Sequence, residues 1–333
     1  MKSNARMEWG KNIIGLLLPI LLTLVPLETM SQPVPSQKVK EVRLNGTQHR
    51  PFFFKPFALL LSSVGLMVSE TGDNCLKLVG PDGRLKMTIG NQGQGPEEFD
   101  APMGFDIHDQ KLYVADSFNR RIKILSPEGK LLSSFRVDLI PVHLVVINPE
   151  RIVVSSRPNP FQSQESLLHC YDSRGTLKWK ALNPIPSSDS VYFTLINEIF
   201  LQKDAQGNIF VLYKYKTPQI LKIKSEGKIA EEIKLDPAYP LKRIMLPFKT
   251  GKKPIDVVFW NMAWDGDKFY LLIPELDGQG DLGPGKEVYV ISRQGKILEK
   301  IIFPQAIRLL ATDGTTFYIL NAEDELFIYR EGS

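Results

Sequence analysis

Four histidines, two cysteines and one oxygen-rich loop are the parts of this 333-residue chain whose chemistry could support metal or nucleophilic catalysis. The histidines are His49, His108, His143 and His169. Zinc takes three or four His, Cys or carboxylate ligands. In the strand assignment given below only His143 opens an inner strand, and alone it reads as an ordinary structural residue. The loop Asp277-Gly-Gln-Gly-Asp281-Leu-Gly-Pro-Gly-Lys-Glu287 is rich in oxygen donors, but Leu282 stands where an EF-hand loop requires glycine. A polar surface loop is the simpler reading. The glycines of Gly90-Asn-Gln-Gly93-Gln-Gly95 precede no helix, so they lack the context of a phosphate loop. No Gly-x-Ser-x-Gly elbow is present. These motifs nominate no catalytic residue, no metal ligand and no cofactor. A divalent metal in a central channel stays open as an alternative.

The elements that would position such residues come from a repeat. An apolar strand, a tight turn ending in glycine and a second strand recur around Gly83, Gly129, Gly175, Gly227 and Gly295, in steps of 46, 46, 52 and 68 residues. A period of roughly 40–50 residues with all-β patterning suits propeller blades. The clearest unit runs through Gly104–His108, Lys111–Asp116, Arg121–Leu125 and Lys130–Val137, with the period-two alternation of half-buried strands. The same order predicts blades at about 56–89, 103–137, 142–182, 199–235, 258–303 and 306–332. The last lacks its fourth strand. The segment 39–45 has strand character and no other partner, so it is expected to complete that blade and remove the open edge. The expectation is an all-β, six-bladed propeller of four-stranded antiparallel blades, closed by an N-terminal strand, with residues 32–333 as one domain. Cys75 and Cys170 then fall on third strands of blades one and three. That separation exceeds the roughly 7 Å limit for a disulfide and predicts two buried free thiols.

Lys2, Arg6 and Lys11 precede the apolar run Ile13–Val25. A basic start followed by an apolar core is the pattern of a secretory leader, with cleavage expected after Ser31. The rival is an uncleaved membrane anchor over residues 12–27, although the run is shorter than the roughly 20 residues of a spanning helix. An exported location, periplasmic or extracellular, follows. The chain carries a formal charge of +4, and removing residues 1–31 leaves +3. That balance lacks the concentrated basic face of a nucleic-acid binder, and Lys249–Lys253 reads as a solvated loop.

Asn91-Gln-Gly-Gln-Gly-Pro-Glu-Glu-Phe-Asp-Ala-Pro102 followed by Leu112-Tyr-Val-Ala-Asp-Ser-Phe-Asn-Arg-Arg-Ile122 resembles the NHL-repeat group of six-bladed propellers. More narrowly it is similar to exported bacterial propeller proteins that share the Gly-Gln-Gly-Pro-x-x-Phe linker. The resemblance covers roughly residues 80–137 and implies fold rather than activity. In Asp116-Ser-Phe-Asn-Arg120-Arg-Ile122 it favours a structural role, with Arg120 or Arg121 tying adjacent blades together. Some propellers similar to this group are metal-dependent α-amidating lyases, but too few inner-strand histidines occur here to carry that activity over.

Topology then points to a face. Every turn between first and second, or third and fourth, strands is short. The long insertions 93–102, 157–166, 183–198, 236–256 and 274–287 all emerge on the other side. Long loops on a rigid scaffold are where function concentrates. They carry Arg157, Phe161, Tyr192, Phe193, Tyr239, Arg243, Phe248 and Lys249. Arg157, Tyr192, Arg243 and Trp260, with His143 at the channel, are the candidate ligand-binding or partner-binding residues. The expected function is non-enzymatic binding of a protein, peptide or glycan by a monomer, with membrane contact only through an uncleaved N-terminus. The runner-up is a propeller enzyme, a metal-dependent lyase or a lactonase-like hydrolase, working in the central channel.

Overall fold

The structure, a computed structural model, describes residues 40–43, 46–49, 53–156, 159, 165–248 and 251–330. The expected leader, its possible anchor at 12–27, and Arg157 and Phe161 lie outside these residues. Among the described residues no helix is long and apolar enough to cross a membrane.

Four antiparallel four-stranded sheets follow one another along the chain, each with strands A to D in sequence order. Blade one is Pro56–Ser62, Gly65–Glu70, Cys75–Val79 and Leu85–Ile89. Blade two is Pro102–His108, Lys111–Asp116, Arg121–Leu125 and Leu131–Arg136. Blade three is Pro141–Asn148, Arg151–Ser156, Leu168–Tyr171 and Leu177–Ala181. Blade four is Ile199–Lys203, Ile209–Tyr213, Gln219–Ile223 and Ile229–Lys234. Blades five and six share a strand. Asn261–Trp264, Phe269–Leu272 and Gly285–Ile291 lead into the 16-residue strand Ile297–Thr312. Residues 299–302 of that strand pair back with blade five, and its far end pairs with Thr316–Asn321, which precedes Leu326–Arg330.

Six buried clusters lie one per seam between adjacent blades, and their composition shows the ring to be closed. The seam joining blade six to blade one packs Leu309, Tyr318, Leu320 and Ile328 against Leu66, Val68 and Val79. The other five seams are built in the same way. Cys75 and Cys170 are free and buried on C strands of blades one and three. Burial pushes their thiols up, to about 11 and about 12, so the weakly acidic thiols are poor nucleophiles in the folded ring.

The closing strand differs from expectation. Lys40–Arg43, within the predicted 39–45, pairs in parallel with Glu299–Ile302, the outer edge of blade five. The strand that completes blade six is Gly46–His49, antiparallel to Leu326–Tyr329. Two sheet edges were open for pairing, and apolar alternation marks a strand without saying which edge it joins. Gly46-Thr-Gln-His49 carries no alternation at all.

The repeated glycines mark where each blade locks onto its predecessor. Gly83, Gly129, Gly175, Gly227 and Gly295 have φ between +74° and +86°, a region that penalises a Cβ. Four of them also sit against the preceding blade's outer strand. A Cβ on Gly129 would meet Ile89 at 2.6 Å, on Gly175 Phe135 at 2.7 Å, on Gly227 Trp179 at 2.7 Å, and on Gly295 the Lys234 carbonyl at 2.2 Å. Gly266 has φ +100° with nothing within 4 Å, which makes it an internal control for backbone strain alone. Denaturant titration should therefore find Gly175→Ala and Gly227→Ala more destabilising than Gly266→Ala by about 1–3 kcal/mol, the usual cost of overpacking. Equal costs would show that the seam contact contributes nothing.

His169, on strand C of blade three, is 1% exposed and stacks on Tyr171 at 6.3 Å. Neither ring nitrogen has a hydrogen-bond partner among the described residues. Burial, with Lys180 nearby, pushes its pKa down from 6.5 to about 4. The unfolded chain takes up this proton as pH falls through 6.5, while the folded chain resists until about pH 4. Stability is therefore complete above pH 6.5 and declines between 6.5 and 4. In melts across that interval His169→Leu should flatten part of the decline; an unchanged slope would remove His169 as its source.

Candidate functional site at the channel mouth

The first strand of every blade lines the central channel, and its opening residues surround a cavity of about 300 Å3 on the long-insertion face. All six blades contribute. Phe57, Met103, His143, Phe200, Asn261 and Leu309 come from successive A strands. A second cavity of about 200 Å3 continues toward the short-turn face, and Phe57, His143, Phe200 and Asn261 line both. These four therefore form the waist of the channel. The His143 ring lies 4.6 Å from Phe200 and 5.7 Å from Phe57 between centroids. Gly104 makes room beside it, because a Cβ there would sit 2.4 Å from the Val142 carbonyl oxygen. Burial, then the charge of Lys214, pushes the His143 pKa down to about 4. At neutral pH it is an uncharged imidazole.

Two ion pairs stand at the upper cavity. Lys214 Nζ lies 3.1 Å from Glu198 Oε1, and it stands over the Trp260 ring at 5.2 Å. Burial works against the Lys214 charge, but Glu198 and Tyr215 more than offset it and hold the pKa above the ordinary lysine value. Arg308 pairs with Asp324 and donates to the Pro56 carbonyl at 3.3 Å, crossing the seam between blades six and one. Each cation thus has its own carboxylate. Aromatic walls with a few fixed polar groups are the ordinary make-up of a small-ligand cavity.

The insertions beside this mouth fold onto one another. Asp189 caps the helix Ser190–Ile196 by accepting from the Val191 and Tyr192 amides, each at 3.0 Å. Buried Asn197 clasps both chain directions, bonding to Ile185 N and O and to Phe193 O. Lys242–Phe248 and Gly251–Val257 form a hairpin, and Glu275–Leu276 with Leu282–Gly283 a smaller one. Ile196, Tyr215, Ile255 and Val257 form a small core with Tyr192, Leu195, Ile244 and Leu282 packed around it.

The sequence-predicted residues separate accordingly. His143 and Trp260 line the channel cavity. Tyr192 packs in the insertion core, and Arg243 forms a two-pronged pair with Asp256, at 2.7 and 3.0 Å, on the exposed hairpin. Arg157 falls outside the described residues. Phe193 and Tyr239 are buried packing residues, Tyr239 donating to the Val258 carbonyl at 2.7 Å. Glu198, Lys214, Arg308 and the waist aromatics went unnoticed in the sequence. Their signal is positional: each opens an A strand or follows a B strand at the same register in its blade. Among the described residues no group of three or more His, Cys, Asp or Glu could hold a metal ion.

The Asp116–Ile122 motif has a structural role. Asn119 donates to the Gly93 carbonyl, Arg121 to that of Gln94, and Lys123 to those of Gly95 and Glu98, so the turn grips the glycine-rich linker. Asp116 faces Lys123 at 3.3 Å, and Glu70 faces Lys77 at 3.5 Å at the equivalent place in blade one.

No curated protein sequence matches the chain significantly. Among solved structures, a Bacteroides fragilis protein named as exported superposes with a TM-score of 0.60 at 8% identity, over 87% of this chain and 98% of its own. A member of the DUF4221 family from Bacteroides vulgatus gives 0.56 at 10% identity, over 86% and 97%. Virginiamycin B lyase from Staphylococcus aureus gives 0.53 at 11% identity, over 86% and 99%. Identities this low show likeness of fold alone. Family membership rests on residues 73–245, over half of the chain: it belongs to the DUF5128 family, described as a 6-bladed beta-propeller.

Proposed function

We propose that this propeller is an exported binding module that receives a protein, peptide or glycan at the channel mouth on its long-insertion face, without catalysing a reaction. One observation carries the reading: a cavity to which all six blades contribute opens on the face where the helix and both hairpins stand. Trp260 supplies an aromatic wall, with Lys214, Glu198 and Asn261 as polar groups around it. Export is supported by the basic-then-apolar N-terminus and by the similar fold of a Bacteroides protein named as exported. The NHL-like reading of the blades draws support from the linker-gripping turn of blade two. The module is proposed to act as a monomer.

Screening the purified chain against peptide and glycan arrays, followed by calorimetry on the ligand found, tests this. Trp260→Ala should weaken binding by about tenfold or more, as for a buried aromatic anchor. Glu128→Ala and Glu226→Ala, exposed on short turns of the opposite face, should leave affinity within about twofold, as surface changes away from a contact do. Binding insensitive to Trp260 but lost with the opposite-face variants would reject the site.

A further inference from the structure

The hairpin formed by Lys242–Phe248 and Gly251–Val257 holds the charge imbalance of the whole chain. Residues 242–257 contain Lys242, Arg243, Lys249, Lys252 and Lys253 against Asp256 alone. The chain has 41 Lys and Arg and 37 Asp and Glu. Setting those five cations and one anion aside leaves 36 of each, so everything outside the hairpin is neutral and the hairpin carries +4.

Its two faces differ. Ile244, Leu246 and Ile255 point inward to the insertion core. In the antiparallel register Arg243 stands opposite Asp256 and Met245 opposite Pro254 on the other face. There Met245 is 52% exposed and the Arg243 side chain 68%. Lys252, Lys253 and Pro254 are exposed as well. Leu241, just before the hairpin, is 38% exposed, and Val191 and Leu276 on the neighbouring insertions are 60% and 40% exposed. At its base Tyr215 bridges Val257 and the Lys216 amide donates to the Asp256 carbonyl at 2.7 Å.

We infer that this hairpin is a docking element for an anionic lipid surface. A soluble polyanion would engage the cations and leave Met245 and Leu241 in water. A bilayer interface takes both, with lysines among the headgroups and apolar side chains at the acyl boundary. The inference is independent of the channel-mouth reading and adds a second contact surface on the same face of the ring.

The test is sedimentation of the full chain with vesicles of phosphatidylcholine alone and with ~30% phosphatidylglycerol, an anionic content that gives basic segments a measurable gain. Wild type should prefer the anionic vesicles and lose that preference in ~0.5 M NaCl, where screening is strong. Lys252→Glu with Lys253→Glu should cut the preference by about tenfold or more, since each basic residue near the surface adds to binding. Met245→Asp should weaken binding to the same vesicles while leaving the melting profile intact. An absent anionic preference, or one that survives the hairpin changes and so belongs to the basic N-terminus, would overturn the proposal. Heparin binding with Met245→Asp silent on vesicles would overturn it in favour of a soluble acidic partner.

Discussion

The ring depends on one constraint, the fit of the C–D turns of blades two to five against the outer strand of the blade before each. At Gly129, Gly175, Gly227 and Gly295 the backbone adopts a left-handed turn and simultaneously approaches a neighbour too closely for any side chain. Backbone geometry and packing thus select the same residue at the same place. Because interiors are packed to crystal-like density, such contacts fix the angle between blades as well as their spacing. Each seam then fills with aliphatic and aromatic residues from two sheets, and the sixth seam closes the circle through Leu320 and Val68.

That scaffold leaves the channel as the place where six first strands meet without pairing to one another. Side chains there are free to differ between blades, and they do: Phe57, Met103, His143, Phe200, Asn261 and Leu309 occupy comparable positions. The waist of two phenylalanines, a neutral imidazole and an amide divides the channel. Above it the charges cancel pairwise, Lys214 with Glu198 and Arg308 with Asp324. The chain's excess positive charge lies apart from the cavity, on the hairpin of residues 242–257.

Much of this was legible in the sequence, because blade architecture is written in local signals. Glycine turns, two-residue periodicity and the free cysteines on like strands need no knowledge of distant contacts. The closing strand needed such knowledge. Residues 40–43 belong to the segment expected to close blade six but join blade five, while the plain segment 46–49 closes blade six. The insertions were read as long loops. Asp189 as an N-cap and the apolar alternation Ile244, Leu246 against Ile255, Val257 become intelligible only once their shared core is seen. Channel residues such as Lys214 of blade four and Arg308 of blade six were hidden for a different reason. Their significance lies in convergence from separate blades, which no spacing within one blade records.

The strand shared by blades five and six, together with the N-terminal strands that pair across both, makes the last third of the ring dependent on its first residues. Gly46 stands opposite Tyr329, 283 residues later. A chain made from its N-terminus onward must hold Gly46–His49 unpaired until Leu326–Arg330 exists. Contacts so distant in sequence make folding slow, and until the final strand arrives blade six exposes a bare sheet edge of the kind that invites pairing between molecules. Gly46–His49 and Leu326–Tyr329 thus act as a clasp fastened last, and the vulnerable period for this protein falls between synthesis of its first blade and the docking of Leu326–Arg330.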